Sequence, residues 1–207
     1  NWKANGAGSS NTDGNITSTV SVSTASGFSI VTYTGNGSAN QTVGHGLGVA
    51  PAFGILKDRD PNSNNDQWQV FHTAAGDKYG YLSTTAAFAG TAEYYPTTGS
   101  STTVTVARTG GVIATTNENG DRFVMYLFAP VAGYSAFGSY TGNALADGPF
   151  VYTGFRPKFI MIKASSATGD WVMEDVARSP DNVSTNYLVA NASTAEPYSR
   201  SNHTSCE

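Results

Sequence analysis

The residues best suited to chemistry are five oxygen-bearing side chains at alternate positions, Asp58-x-Asp60-x-Asn62-x-Asn64-x-Asp66. In a tight loop that spacing aims successive oxygens inward at a hard cation, as the front half of a calcium loop does. The rest of the pattern is missing, because the sixth position is Ser63 rather than Gly and the twelfth is Gln69 rather than a bidentate Glu. Calcium coordination by Asp58, Asp60, Asn62, Asn64 and Asp66 therefore stands beside a plainer expectation, a solvated hairpin tip made of the residues turns prefer.

Nucleophilic or acid–base catalysis would draw on His45, set in Val43-Gly44-His45-Gly46-Leu47-Gly48, on His72, and on the carboxylates Glu93, Glu118, Asp121, Glu174 and Asp175. Glu174 and Asp175 are neighbours on a predicted strand and point to opposite faces, so they are not a catalytic pair. No Gly-x-Ser-x-Gly, His-Glu-x-x-His or phosphate-cradling loop occurs. Structural roles are expected for both histidines, and the chain reads as a non-enzyme without catalytic residues. For ligand binding the candidates are aromatic: Trp68, Trp171, Tyr94 and Tyr95. An exposed Trp stacks on sugar rings, whereas a pair at matching positions is also what packing anchors would look like.

Those positions match because the chain repeats itself. Tyr33-Thr34-Gly35-Asn36-Gly37 returns as Tyr140-Thr141-Gly142-Asn143-Ala144, and Pro51-Ala52-Phe53-Gly54-Ile55-Leu56-Lys57 returns as Pro157-Lys158-Phe159-Ile160-Met161-Ile162-Lys163. The offsets are 140 − 33 = 107 and 157 − 51 = 106, falling to 171 − 68 = 103 at the tryptophans. Strands hold their spacing while loops drift. His45 and His72 have no counterpart, since Tyr152 and Asp175 stand near their places, and the Asp58–Asp66 series is absent from 164–169. What was duplicated is scaffold.

Helical periodicity is nearly absent, and β-branched and aromatic runs punctuated by glycine turns predict strands at 27–33, 41–45, 53–56, 67–72, 79–83, 102–107 and 122–129. Six or seven strands in about 105 residues is the count of a small β-sandwich. Copy two predicts strands at 138–140, 150–152, 159–163, 171–174 and 187–190, and the partner of 122–129 would fall near 225–235. The expected fold is all-β, with two tandem related antiparallel β-sandwich units of jelly-roll or lectin type, the second incomplete. Residues 1–26 are expected as an extended arm or the tail of a preceding unit, 27–131 as the first repeat and 132–207 as a truncated second repeat. Together they read as a window on a longer polypeptide.

Charged residues make up only 13% of the chain and the net charge is −4, with no cluster of Lys or Arg, so nucleic acid is not an expected partner. The longest apolar runs fall far short of the roughly 20 residues that cross a bilayer, so no membrane insertion is expected. Cys206 is the one cysteine and has no internal disulfide partner, which leaves stability to packing. Gly, Ser, Thr and Asn fill the place of charge, a mixture suited to short strands and to virion-exposed or extracellular proteins.

The blocks Gly27-Phe28-Ser29-Ile30-Val31-Thr32-Tyr33, Val43-Gly44-His45-Gly46-Leu47-Gly48 and Asp147-Gly148-Pro149-Phe150-Val151-Tyr152-Thr153-Gly154-Phe155-Arg156-Pro157 resemble a repeat found in large virion proteins of marine tailed phages. The resemblance covers nearly the whole chain. It implies a structural or adhesive module of a virion appendage, a tail fibre or tail spike on the virion surface, meeting a host glycan. It also implies a homo-oligomer, a trimer, in contact with other virion proteins, with no cofactor and no catalytic residues to carry over. A purely structural capsid-surface fibre or decoration protein, and a secreted carbohydrate-binding or carbohydrate-active protein, are the alternatives.

Overall fold

The structure is a computed structural model that describes residues 3–60, 67–90, 99–106, 113–145, 147–180, 186–193 and 195–196. It is all-β. The described residues form twelve strands: β1 (Ser9–Asn11), β2 (Ser18–Ser23), β3 (Phe28–Thr34), β4 (Gln41–Gly44), β5 (Phe53–Asp58), β6 (Gln69–His72), β7 (Tyr79–Tyr81), β8 (Thr103–Val106), β9 (Arg122–Phe128), β10 (Phe159–Lys163), β11 (Trp171–Asp175) and β12 (Leu188–Val189). The helical pieces are single turns, among them α1 (Ile113–Thr116). No helix among the described residues is long and apolar enough to cross a membrane.

The large sheet runs β1-β2-β3-β9-β5-β6-β7, all antiparallel. All seven strands expected in copy one are present. The segment expected as an extended arm or the tail of a preceding unit supplies β1 and β2, and β2 is laddered to β3 from Ser18↔Tyr33 to Ser23↔Phe28. The physical reason is alternation. Ser18 and Val20 point into the core and Thr19 points out, and the serine is satisfied there because its Oγ donates to the Gly44 carbonyl at 2.9 Å.

Two smaller sheets cover the large one. On one face lies β4-β8, whose Val43, Val104 and Val106 are fully buried against Val31, Leu56, Phe71, Phe123, Met125 and Leu127. Strands turn successive side chains to opposite faces, so the next residues along, Phe28, Phe53, Val70 and Phe128, form a second core on the other side. This second core is closed by β10-β11-β12 through Met161 and Trp171, and by Phe137, whose ring stacks on Phe53 at 6.0 Å.

The three-stranded sheet repeats β5-β6-β7 strand for strand and in register. Phe53↔His72 becomes Phe159↔Asp175, and Val70↔Gly80 becomes Met173↔Leu188. The Asn36 turn recurs as well: Asn36 Oδ1 accepts from Ser38 N at 3.0 Å, and Asn143 Oδ1 from Leu145 N at 3.1 Å. The described residues of copy two do not form a complete second sandwich. Among the described residues between Ser135 and Phe159 none lies in a strand, so the strands expected at 138–140 and 150–152 are not there. Their counterparts β3 and β4 are held by ladders to β2, β9 and β8, and the described residues of copy two hold no strand in those places.

Candidate functional site

The Asp58–Asp66 series begins at the end of β5. Asp58 is buried, and its Oδ1 accepts from Asp60 N at 2.9 Å. Asp60 is held by Arg122 at the start of β9: the Arg122 backbone N–H donates to Oδ2 at 2.6 Å and Nε to Oδ1 at 3.1 Å. The Arg122 guanidinium and backbone N–H hold the Asp60 carboxyl below its ordinary range, and Asp60 in turn raises Arg122. Asp121 beside them is shifted upward, first by desolvation and then by repulsion from Asp58, Asp60 and Glu118. Asn62, Asn64 and Asp66 lie outside the described residues. Of the two aspartates that can be placed, one is buried and the other is engaged by an arginine. Among the described residues no group of three or more His, Cys, Asp or Glu is arranged to hold a metal ion.

Both histidines do structural work. His45 is fully buried; its Nδ1 accepts from Leu47 N at 3.1 Å, which leaves Nε2 to donate to the Ser100 carbonyl at 3.3 Å. Burial lowers its pKa, more than the bond to Ser100 raises it, so the ring is neutral. His72 caps the turn Thr73–Ala75 by accepting from Ala74 N at 3.0 Å, its ring lies 6.0 Å from Phe53, and burial lowers its pKa too. The two rings lie on opposite sides of the large sheet, His45 beyond β4 and His72 in the aromatic core, so they do not meet as a catalytic pair.

The matched tryptophans have parted company. Trp171 is 4% exposed, donates from Nε1 to the Tyr81 carbonyl at 2.8 Å and sets its ring 5.8 Å from Phe88. It is a packing anchor and offers no face to a ligand. Trp68 is 37% exposed and keeps a free part of its ring at the surface. Tyr94 and Tyr95 lie outside the described residues.

Sequence reasoning missed two surface features. The first is a run of exposed large apolar side chains between Tyr134 and Tyr152: Phe150 and Tyr152 are each 82% exposed, and Tyr134, Tyr140 and Val151 about half. The signal was available, since the counterpart of Tyr140 is Tyr33, which is 5% exposed and donates its hydroxyl to the Thr116 carbonyl. The same residue type serves as core in one copy and as surface in the other. The second feature is a shallow trough of about 260 Å³ on the open end of the large sheet. Ser10, Thr19, Thr32 and Thr34 line it with hydroxyls, and Arg59 and Arg122 stand at its rim. Alternation accounts for it: Val20, Val31 and Tyr33 turn inward, leaving Thr19, Thr32 and Thr34 to face out.

Fold and surface together define a non-helical, layered β module with hydroxyl and aromatic exposure and no assembled metal cluster among its described residues. The chain belongs to a protein family described as a domain of unknown function (DUF7483), which matches residues 1–206. That single match runs through β1 and β2 and both copies of the repeat. No curated protein and no solved structure matches the chain.

Proposed function

We propose that this chain is a non-enzymatic structural and adhesive module of a phage virion appendage, a tail fibre or tail spike, displayed on the virion surface. It works as a homo-oligomer, three copies by the resemblance to phage repeat proteins, among other virion proteins, and touches a glycan of the host surface. The observation that carries the adhesive part is the exposure of Phe150 and Tyr152, each 82% exposed on the connection between β9 and β10. Large rings with few rotatable bonds give contact area at low entropic expense, and contiguous exposed apolar side chains mark interaction sites. The hydroxyl-lined trough is a second, polar surface of the same module.

A glycan array and an adhesion assay on host cells, run with the purified chain and with a Phe150→Ser, Tyr152→Ser double variant, test this. Retention that the double variant loses is the expected result. Cleavage of a bound glycan would overturn the non-enzymatic assignment. Retention unchanged in the double variant would remove these rings from the binding surface.

A further inference from the structure

Two arginines stand side by side at the open end of the large sheet. Thr34 pairs with Arg122 across β3 and β9, and the Arg59 backbone N–H donates to the Arg122 carbonyl at 2.8 Å, which carries the β9–β5 ladder one residue past Asp58. Strands turn successive side chains to opposite faces, so Tyr33, Phe123 and Asp58 are buried while Thr34, Arg122 and Arg59 form an exposed row on the outer face. Beside it runs a second row, Ser10, Thr19 and Thr32, across β1, β2 and β3. We propose that the trough these rows line is a binding site for an acidic sugar, in which the Arg59 guanidinium pairs with the sugar's carboxylate and the Thr19, Thr32 and Thr34 hydroxyls bond its ring hydroxyls.

Three observations select that ligand. The first is charge. Like charges directly opposite one another on neighbouring strands are destabilising, and Arg122 and Arg59 are such a pair. Asp60 answers Arg122, accepting its backbone N–H at 2.6 Å and its Nε at 3.1 Å. Arg59 has no ion pair or side-chain hydrogen bond among the described residues. The row therefore holds two guanidiniums against one carboxylate, and a guanidinium fork matches a second, planar carboxylate. Asp58, the nearest acid along β5, is buried on the opposite face.

The second observation is the state of the hydroxyls. On the same strands the serines are engaged by the protein, Ser18 with the Gly44 carbonyl, Ser21 with that of Gly6 and Ser29 with that of His45. The hydroxyls of Thr19, Thr32 and Thr34 have no partner among the described residues. The ladder spaces them about 4.8 Å apart between strands and about 7 Å apart along β3. Each both donates and accepts, as a sugar hydroxyl does, and a β-branched side chain has few rotamers to lose. The third observation is size. About 260 Å³ falls just under the roughly 300 Å³ at which small-molecule pockets begin, so the trough takes one sugar residue of a longer chain. It shares no residue with the Phe150 and Tyr152 surface, and the two stand or fall separately.

The test titrates the full chain with a short oligogalacturonate, and with its methyl ester as the neutral control, by calorimetry and by NMR of the threonine methyl groups. The expected result is a dissociation constant of about 1 mM or tighter, with shifts at Thr19, Thr32 and Thr34. The methyl ester and an Arg59→Gln variant are each expected to bind at least about tenfold more weakly. Thr32→Val keeps the shape and removes the hydroxyl, so about a threefold loss of affinity with an unaltered thermal melt is expected. The Phe150→Ser, Tyr152→Ser double variant should bind the oligogalacturonate as the parent chain does. Equal affinity for acid and ester, Arg59→Gln binding like the parent, or no titration at all would overturn the proposal. So would loss of binding in the double variant, which would move the ligand to the rings, or tighter binding of a sulfated neutral oligosaccharide, which would replace the carboxylate by a sulfate ester.

Discussion

Trp171 is the place where the packing of the two repeats can be measured. Its ring is 4% exposed against Phe88 in the second core, and its Nε1 donates to the Tyr81 carbonyl at 2.8 Å. Trp171→Ala removes the ring and leaves a cavity between the β10-β11-β12 sheet and the large sheet, an expected loss of about 3–5 kcal/mol. Trp171→Phe keeps most of the buried area but deprives the Tyr81 carbonyl of this donor, so about 1–2 kcal/mol is expected. Trp68→Ala, at the matching position but 37% exposed, should lose about 1 kcal/mol or less. Urea unfolding followed by far-ultraviolet circular dichroism gives all three. For a chain of this length about 3 kcal/mol corresponds to roughly 10 °C in melting temperature, well resolved from the Trp68 variant. Equal losses at Trp68 and Trp171 would refute the claim that one anchors the interface between sheets and the other serves the surface. A Trp171→Phe loss as large as that of Trp171→Ala would refute the division between cavity and hydrogen bond.

Asn117, fully buried, accepts from Asn36 N and donates to Asn36 Oδ1 and the Ser38 carbonyl, so Asn117→Ala should destabilise by about 2–3 kcal/mol in the same urea assay. The pKa of His45 is lowered by burial, so the unfolded chain takes up the proton first. Stability present above pH 6.5 is lost as pH falls below it toward the folded value, by at most about 1.4 kcal/mol per pH unit. A ring titration by NMR with a midpoint at or above 6.5 would contradict this. The pKa of Asp121 is raised, so its charge opposes folding above the ordinary carboxyl range; Asp121→Asn should raise the melting temperature at neutral pH and have no effect in acid. Millimolar calcium should leave the melting temperature unchanged, because Asp60 is already held by Arg122. A rise of several degrees would assign a cation to the five-oxygen loop.

The strands of copy one were legible as β-branched and aromatic runs, with β3 and β4 ending at glycine turns, and the repeat was legible from motif spacing. The sheet order was not. Nothing in the sequence marks β9 as the strand that inserts between β3 and β5, since that pairing is set by cross-strand packing such as Tyr33 on Phe123 at 5.1 Å. In β2, Ser-Thr-Val-Ser-Val-Ser, the alternation shows but the partner does not: Ser18 and Ser29 are core residues because their hydroxyls donate to the Gly44 and His45 carbonyls of the covering layer. In a chain poor in charge, hydroxyl-to-carbonyl bonds join the layers. The candidate site was the least legible part, because exposure decides the role of an aromatic residue and exposure depends on neighbours that sequence does not name.

The duplicated meander therefore has two fates in one molecule. In the first copy Gly54 is paired with Phe71, and a side chain at Gly54 would collide with that ring and come within 2.8 Å of Leu127. The absent Cβ is what lets Phe71 lie flat in the core under β4 and β8. In the second copy the same pair is Ile160 and Glu174, bulk on the β5-type strand and a carboxylate on the β6-type strand. The exchange removes the aromatic plug from the outer face but keeps the inner face apolar, with Met161 and Trp171 where Ile55 and Trp68 stand. Selection on packing against copy one explains the inner face. The outer face keeps Ile160, Ile162 and Val172 half-buried beside the buried Glu174, so the exchange replaces an aromatic plug by aliphatic side chains around one carboxylate.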